Sequence, residues 1–216
     1  MIFPSFSIII PIFNENKNIV SLLRKIISSN RYLKYEIIII DDSSTDGSQN
    51  VIEKFIKKKS YIKLIKRTKY PRDLSLSCIK GFEKSKNKLI LVMDGDGQHN
   101  PSDLIRMHKL ILSKDLDLII GSRFLTNNDV QGLSRKRFAL SEFGNKVCNF
   151  FIKSSVSDPL SGFFLTKRSL LLNLRMSLYK DGFKILFDIM MLNPSLKISE
   201  IQINFKERLA GESKLN

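Results

Sequence analysis

The chain of 216 residues is poor in cysteine and has no long apolar run, and each shortage narrows its class. Cys78 and Cys148 are its two cysteines, without C-x-x-C or Cys/His spacing, so neither a disulfide framework nor a zinc site is indicated and a reducing cytoplasm fits. No stretch approaches the roughly 18 apolar residues that a membrane span needs. The richest, 183–192, is broken by Lys184 and Asp188. The opening Met-Ile-Phe-Pro-Ser-Phe-Ser lacks the basic start and long apolar core of a signal peptide and reads as the approach to a first strand. Membrane contact is therefore expected to be peripheral. There is no G-x-x-x-x-G-K-[ST], and in Gly95-Asp96-Gly97-Gln98-His99-Asn100 an asparagine stands where G-x-G-x-x-G needs its last glycine. A P-loop and a nicotinamide-dinucleotide site are both disfavoured.

What is present points to one α/β domain over 1–216, with 43% hydrophobic residues to build its core. Strand-like runs at 6–10, 36–40, 61–65, 89–93 and 116–120 alternate with helical patterns, the rhythm of βαβ units. Unbroken runs such as Ile37-Ile38-Ile39-Ile40 predict a mostly parallel sheet covered by helices on both faces. Asn100-Pro101-Ser102-Asp103 predicts a helix over 101–112, with Asn100 as its cap. Past residue 121 the rhythm changes to a basic helix over 135–151, a segment at 161–166, a helix at 183–192 and a strand at 198–205. This stretch reads as an acceptor-side half, 122–216, joined to a donor-binding half, 1–121.

Acidic motifs follow three predicted strands: Asn14-Glu15, Asp41-Asp42 and Asp94-Gly95-Asp96. In an open parallel sheet the carboxyl ends of the strands share one edge, so these motifs are expected to converge. A net charge of +15 favours anionic partners, yet bare carboxylates would repel a phosphate. A divalent cation, Mg²⁺ or Mn²⁺, bridging Asp94, Asp96 and Gln98 to a pyrophosphate resolves the conflict. Each residue has a plain structural alternative: Phe13 as core, Glu15 as a first-turn acid, Asp42 as a cap for a helix near Gly47, and Asp-x-Asp as a turn or helix cap; His99 is expected to be structural or to stand behind the ligands rather than to act as a general base.

The segments Ile8-Ile9-Ile10-Pro11-Ile12-Phe13-Asn14-Glu15, Asp41-Asp42-Ser43-Ser44 and Met93-Asp94-Gly95-Asp96-Gly97-Gln98-His99 resemble family 2 inverting glycosyltransferases of the GT-A (Rossmann-like) fold. Gly121-Ser122-Arg123, Asp158-Pro159-Leu160-Ser161-Gly162-Phe163 and Arg208-Leu209-Ala210-Gly211-Glu212-Ser213-Lys214 are similar to the polyprenyl- or dolichyl-phosphate mannose synthase branch. The resemblance implies transfer of a hexose, mannose from GDP-mannose, to a polyprenyl phosphate on the cytoplasmic face of a membrane. By the same resemblance Pro11, Phe13 and Glu15 hold the nucleoside, Asp41 or Asp42 reads the base, and Asp94, Gly95, Asp96 and Gln98 take the metal and diphosphate. Arg123, Arg137 and Ser141 receive the acceptor phosphate, and Arg208, Ser213 and Lys214 close on the donor. Asp96, Arg123 and Arg208 are the expected catalytic groups. Asp73-Leu74-Ser75 departs from the Gly-Leu-Gly-like turn usual in the family, and Asp188 stands where Glu is common.

Two rivals use the same residues differently. A family 2 enzyme with a UDP-sugar donor, such as UDP-glucose, and a polysaccharide, glycolipid or protein acceptor shares the acidic motifs. A basic nucleic-acid-binding module accounts for the charge but not for the convergent acids, so no nucleic-acid partner is expected. Lys57, Lys58, Lys59, Lys66, Arg67, Lys69 and Arg72 are candidates for contact with an anionic membrane surface.

Overall fold

Isoleucine runs account for the centre of the fold. A computed structural model describes residues 5–68, 72–126, 135–152, 155–174 and 185–206, apart from the side chains of 135–140, 142 and 172–174. Strands β1 (Phe6–Ile12) and β2 (Tyr35–Asp41) pair in parallel with Ile8 opposite Ile37 and Ile10 opposite Ile39. Side chains of a strand alternate between faces, so a strand covered on both sides needs apolar residues at every position. Ile8, Ile10, Ile37 and Ile39 pack in one core with Leu22, Leu23 and Met107, while Ile9, Ile38 and Ile40 pack in another with Cys78, Phe82 and Ile189.

Helix α1 (Ile19–Ser29) follows β1, α2 (Ser48–Ile56) follows β2, and β3 (Ile62–Lys66) adds parallel to β2. Helix α3 (Leu74–Lys84) leads to β4 (Leu89–Val92), which pairs in parallel with the other side of β1. A Cβ on Gly81 would lie 2.4 Å from Ile9 Cγ2, so glycine lets α3 approach β1. Helix α4 (Asp103–Ser113), β5 (Leu118–Ser122), α5 (Arg135–Phe151), β6 (Phe164–Lys167), α6 (Arg168–Leu174), α7 (Ile185–Leu192) and β7 (Ile198–Gln202) complete the order. The seven-stranded sheet runs β3-β2-β1-β4-β6-β5-β7. It is mostly parallel, with β6 antiparallel to both β4 and β5.

Among the predicted boundaries that shift, two do so for local reasons. Helix α4 begins at Asp103 rather than 101, because Asn100 caps a preceding turn: its Oδ1 accepts from Ser102 N at 3.2 Å and its carbonyl from Asp103 N at 3.1 Å. Strand β7 ends at Gln202: Ile203 N still donates to Ser122 O at 3.0 Å, but beyond it the Gln202 side-chain amide donates to the carbonyls of Ile203 and Arg123.

Candidate active site

The ends of β1 and β2 are stitched together by side chains that replace missing backbone partners. Asn14, at φ 54, donates its N–H to Ser44 Oγ at 2.8 Å and accepts from Thr45 N on Oδ1 at 2.8 Å. Glu15 N donates to Ser48 Oγ at 2.9 Å, and Asn16 N to Asp46 Oδ2 at 2.9 Å. Gly47, at φ 87, is the N-cap of α2, and Asp46 just before it accepts from Ser48 N at 3.0 Å, so the capping task offered as an alternative for Asp42 is not its own.

Asp41 and Asp42 are both buried. Asp41 Oδ1 accepts from Ser44 N at 3.0 Å and Gln49 Nε2 at 2.7 Å, while its Oδ2 takes no hydrogen bond among the described residues. Asp42 faces the Arg67 guanidinium at 2.9 Å and accepts from Asp73 N at 2.7 Å on Oδ2. That bond ties the end of β2 to the start of α3, where Asp73 caps the helix by accepting from Leu76 N. Sequence alone gave no sign of Arg67 as the partner of Asp42. Arg72 lies over the ring of Phe13 at 4.2 Å, a cation–π contact at the mouth of the same edge. Glu15 is buried and accepts from Asn18 Nδ2 at 2.7 Å, and Pro11 is buried beside them.

The acid loop after β4 lies against β1. A Cβ on Gly95 would stand 2.5 Å from Ile12 Cγ2, so only glycine allows this approach. Gly97 takes φ 80, and Gln98 N donates to Asp96 Oδ1 at 3.1 Å, closing a turn. Asp94 keeps 36% of its side chain exposed and bonds His99 Nε2 at 3.1 Å through Oδ2. A carboxylate only accepts, so the ring carries its hydrogen on Nε2. His99 is buried, stacked on Phe163 at 5.0 Å and edge-on to Phe205 at 5.3 Å. Across from His99, a Cβ on Gly162 would meet Asp94 Oδ2 at 2.3 Å.

Arg123, just past the end of β5, is committed to Asp158, which the sequence offered as part of a motif but not as this partner. Its Nε donates to Asp158 Oδ2 at 2.7 Å and its Nη2 to Asp158 Oδ1 at 2.8 Å. Asp158 is fully buried and also takes Arg123 N at 3.1 Å. Burial alone would lower the guanidinium pKa, but the bond and charge of Asp158, with Asp94 nearby, raise it. One edge of the fork is thus filled, and the remaining N–H groups are those on Nη1 and the second on Nη2. Aromatic rings of Phe124 and Phe205 flank the guanidinium at 5.2 and 5.5 Å.

Ser141 is half-buried on α5, which also carries Arg137. The Arg137 side chain and all of Arg208, Ser213 and Lys214 lie outside the described residues. Lys57, Lys58 and Lys59 lead into the start of β3, the sheet edge opposite the acids, whereas Lys66, paired with Glu53 at 2.7 Å, ends that strand on the acid side. Lys69 lies outside the described residues.

Residues 7–175 match the family described as glycosyl transferase family 2. A dolichol-phosphate mannosyltransferase of Pyrococcus furiosus is 31% identical over 211 residues, covering 97% of this chain and 58% of the relative. The chain thus spans just over half the length of that protein. A dolichol-phosphate mannosyltransferase of Mycosarcoma maydis is 30% identical over 223 residues, covering 99% of this chain and 74% of the relative. Among solved structures, a mannosyltransferase from Pyrobaculum calidifontis in complex with GDP-Man and Mn²⁺ superposes with a TM-score of 0.66 at 15% identity, over 96% of this chain and 57% of that one. With its mostly parallel sheet flanked by helices and its acids gathered at one strand edge, the chain belongs to glycosyl transferase family 2, with the GT-A fold, in the branch of the dolichol-phosphate mannosyltransferases.

Proposed function

We propose that the chain is an inverting transferase that moves mannose from GDP-mannose onto a polyprenyl or dolichyl phosphate at a membrane surface. The observation that carries this reading is the convergence of the acid loop with the end of β1 on one side and the Asp158–Gly162 segment, which holds Arg123, on the other. The named activities of the Pyrococcus and Mycosarcoma relatives support the sugar and the acceptor, and the GDP-Man and Mn²⁺ bound by the Pyrobaculum enzyme support the donor and a cation.

The acid loop fits a hard divalent cation. Asp94, Asp96 and Gln98 offer oxygen donors, and the missing Cβ of Gly162 leaves the Asp94 carboxylate its place. Among the described residues no group of three His, Cys, Asp or Glu is positioned to hold a metal. Two carboxylates and an amide suit an ion that completes its shell with phosphate oxygens and water. When bound, such a cation neutralises charge on the departing diphosphate.

The chain's own residues do the rest. Pro11, Phe13 and Glu15 line the nucleoside side of the edge. A phosphate monoester is largely dianionic at neutral pH, its second pKa being about 6, so its oxygen attacks the anomeric carbon without a protein base. The new C–O bond forms as the bond to the donor diphosphate breaks, the electron pair leaves on the diphosphate, and the configuration inverts. Arg123, oriented by Asp158, presents its outer N–H groups to the acceptor phosphate. Arg137 and Ser141 on α5 assist it, and Arg208, Ser213 and Lys214 complete the donor side.

Helix α5 supports the membrane surface. Phe143, Val147, Phe150 and Phe151 are exposed at positions i, i+4, i+7 and i+8, one apolar stripe on a helix that starts Arg135-Lys136-Arg137. Among the described residues no helix is long and apolar enough to cross a membrane.

The test is transfer of radiolabel from GDP-mannose and UDP-glucose, in parallel, into organic-extractable polyprenyl phosphate with Mg²⁺ or Mn²⁺. Metal-dependent labelling from GDP-mannose that Asp96→Ala abolishes is the expected result. Labelling from UDP-glucose alone would overturn the donor, and labelling from neither would overturn the acceptor.

A further inference from the structure

One side-chain amide joins the acid loop to the backbone leaving β7. Gln98 Nε2 donates to Lys206 O at 2.9 Å, and Lys206 N donates back to Gln98 O at 3.0 Å. Beside this pair Phe205 sits edge-on to His99 at 5.3 Å, and His99 bonds Asp94. Two segments 108 residues apart are thus fastened by adjacent residues of each. The other end of the amide, Gln98 Oε1, takes no hydrogen bond among the described residues and is not one of their buried unpartnered atoms, which leaves it open to a ligand.

We infer that Gln98 is a positioning residue that works at both ends of its amide, with Oε1 directed to a cation held by Asp94 and Asp96 and Nε2 fixed on Lys206. The inference rests on the cation reading proposed above. A carboxamide is planar, so fixing its oxygen fixes the direction of its N–H groups, and polarising the oxygen strengthens the bond that the nitrogen donates. Cation ligation and the course of residues 203–206 are coupled through this side chain. Arg208 lies two residues beyond Lys206 in the sequence.

Gln98→Glu separates the two ends, because it keeps oxygen for a cation and has no N–H for Lys206 O. Gln98→Ala removes both. The experiment is hydrogen–deuterium exchange over 198–206 in the full chain, with and without Mn²⁺ and GDP, beside Mn²⁺ binding measured by the loss of the free-ion resonance. Without ligand, exchange at 203–206 should be about five-fold faster in both variants than in the wild type, the effect of one lost hydrogen bond. Mn²⁺ with GDP should slow exchange there in the wild type, and in Gln98→Glu should bind within about three-fold of wild-type affinity without slowing it. Unchanged ligand-free exchange in Gln98→Glu, or full ligand-induced slowing in that variant, would overturn the inference. Exchange at β1 and β4 monitors folding of each variant. Failure of the wild type to bind Mn²⁺ would sink the cation reading and the coupling together, while the ligand-free comparison still decides whether the amide holds Lys206.

Discussion

The two sides of the sheet obey different rules. On one side β3, β2, β1 and β4 are all parallel, and the residues that follow β1, β2 and β4 reach a common edge simply by following their strands. On the other, β6 runs antiparallel between β4 and β5, with Phe164 opposite both Val92 and Ile120. The reversal brings the segment before β6 to the edge that the other strands reach with the segment after them. Asp158, Ser161 and Gly162 arrive at Asp94 and Arg123 by this route. The parallel side supplies carboxylates, and the mixed side supplies the group that holds Arg123 and the glycine that makes room for Asp94.

The largest loss is expected at the buried pair on the mixed side. Asp158→Ala leaves the Arg123 guanidinium without its carboxylate, and urea unfolding should show a loss of about 3–5 kcal/mol. Arg123→Ala should cost a similar amount, and the double variant less than the sum. Additive losses would mean that the two residues do not act as a pair.

On the parallel side the damage should fall on function instead. Asp96→Ala should lower the transfer rate by about a hundred-fold or more, with its unfolding midpoint little changed. Gly162→Ala joins the two sides: its Cβ would sit 2.3 Å from Asp94 Oδ2. Either the carboxylate or the 158–162 segment must shift, for about 1–3 kcal/mol of overpacking, and Mn²⁺ affinity should fall with it. Unaltered Mn²⁺ binding in this variant would separate Gly162 from the acid loop.

The smallest effect lies at the far edge of the parallel side. Burial by itself raises the Glu36 carboxyl, but Lys63, the Lys86 N–H and Ser7 outweigh it and hold its pKa below the ordinary 4.5. A depressed folded pKa contributes stability above that ordinary value and loses it as pH falls through the folded value. Stability measured against pH should therefore decline less steeply below 4.5 in Glu36→Gln than in the wild type.

The parallel side was largely legible in the sequence, because its signals are local. The Ile37–Ile40 run, the acids that follow β1, β2 and β4, and the glycines of the acid loop each specify their own surroundings. Asp158 was legible as part of a motif but not as the partner of Arg123, since 35 residues that include helix α5 separate them and the antiparallel course of β6 is what sets the segment before it at this edge. Arg67 was read as surface charge, and its pairing with Asp42 depends on the parallel register of β2 and β3. The basic run at 57–59 carries no mark of which sheet edge it occupies, and topology sets it opposite the acids. His99, expected to be structural or to stand behind the ligands, bonds Asp94, while its contact with Phe205 depends on the return of the chain after β7.

In the proposed mechanism the acid loop after β4 holds a cation together with a nucleoside diphosphate at the shared strand edge. Titration of the full chain with Mn²⁺, with and without GDP, followed through the free-ion resonance, tests it most directly. Tight uptake that requires GDP and disappears in Asp96→Ala is the expected result, whereas equal uptake by the wild type and Asp96→Ala would show that the acid loop does not hold the cation.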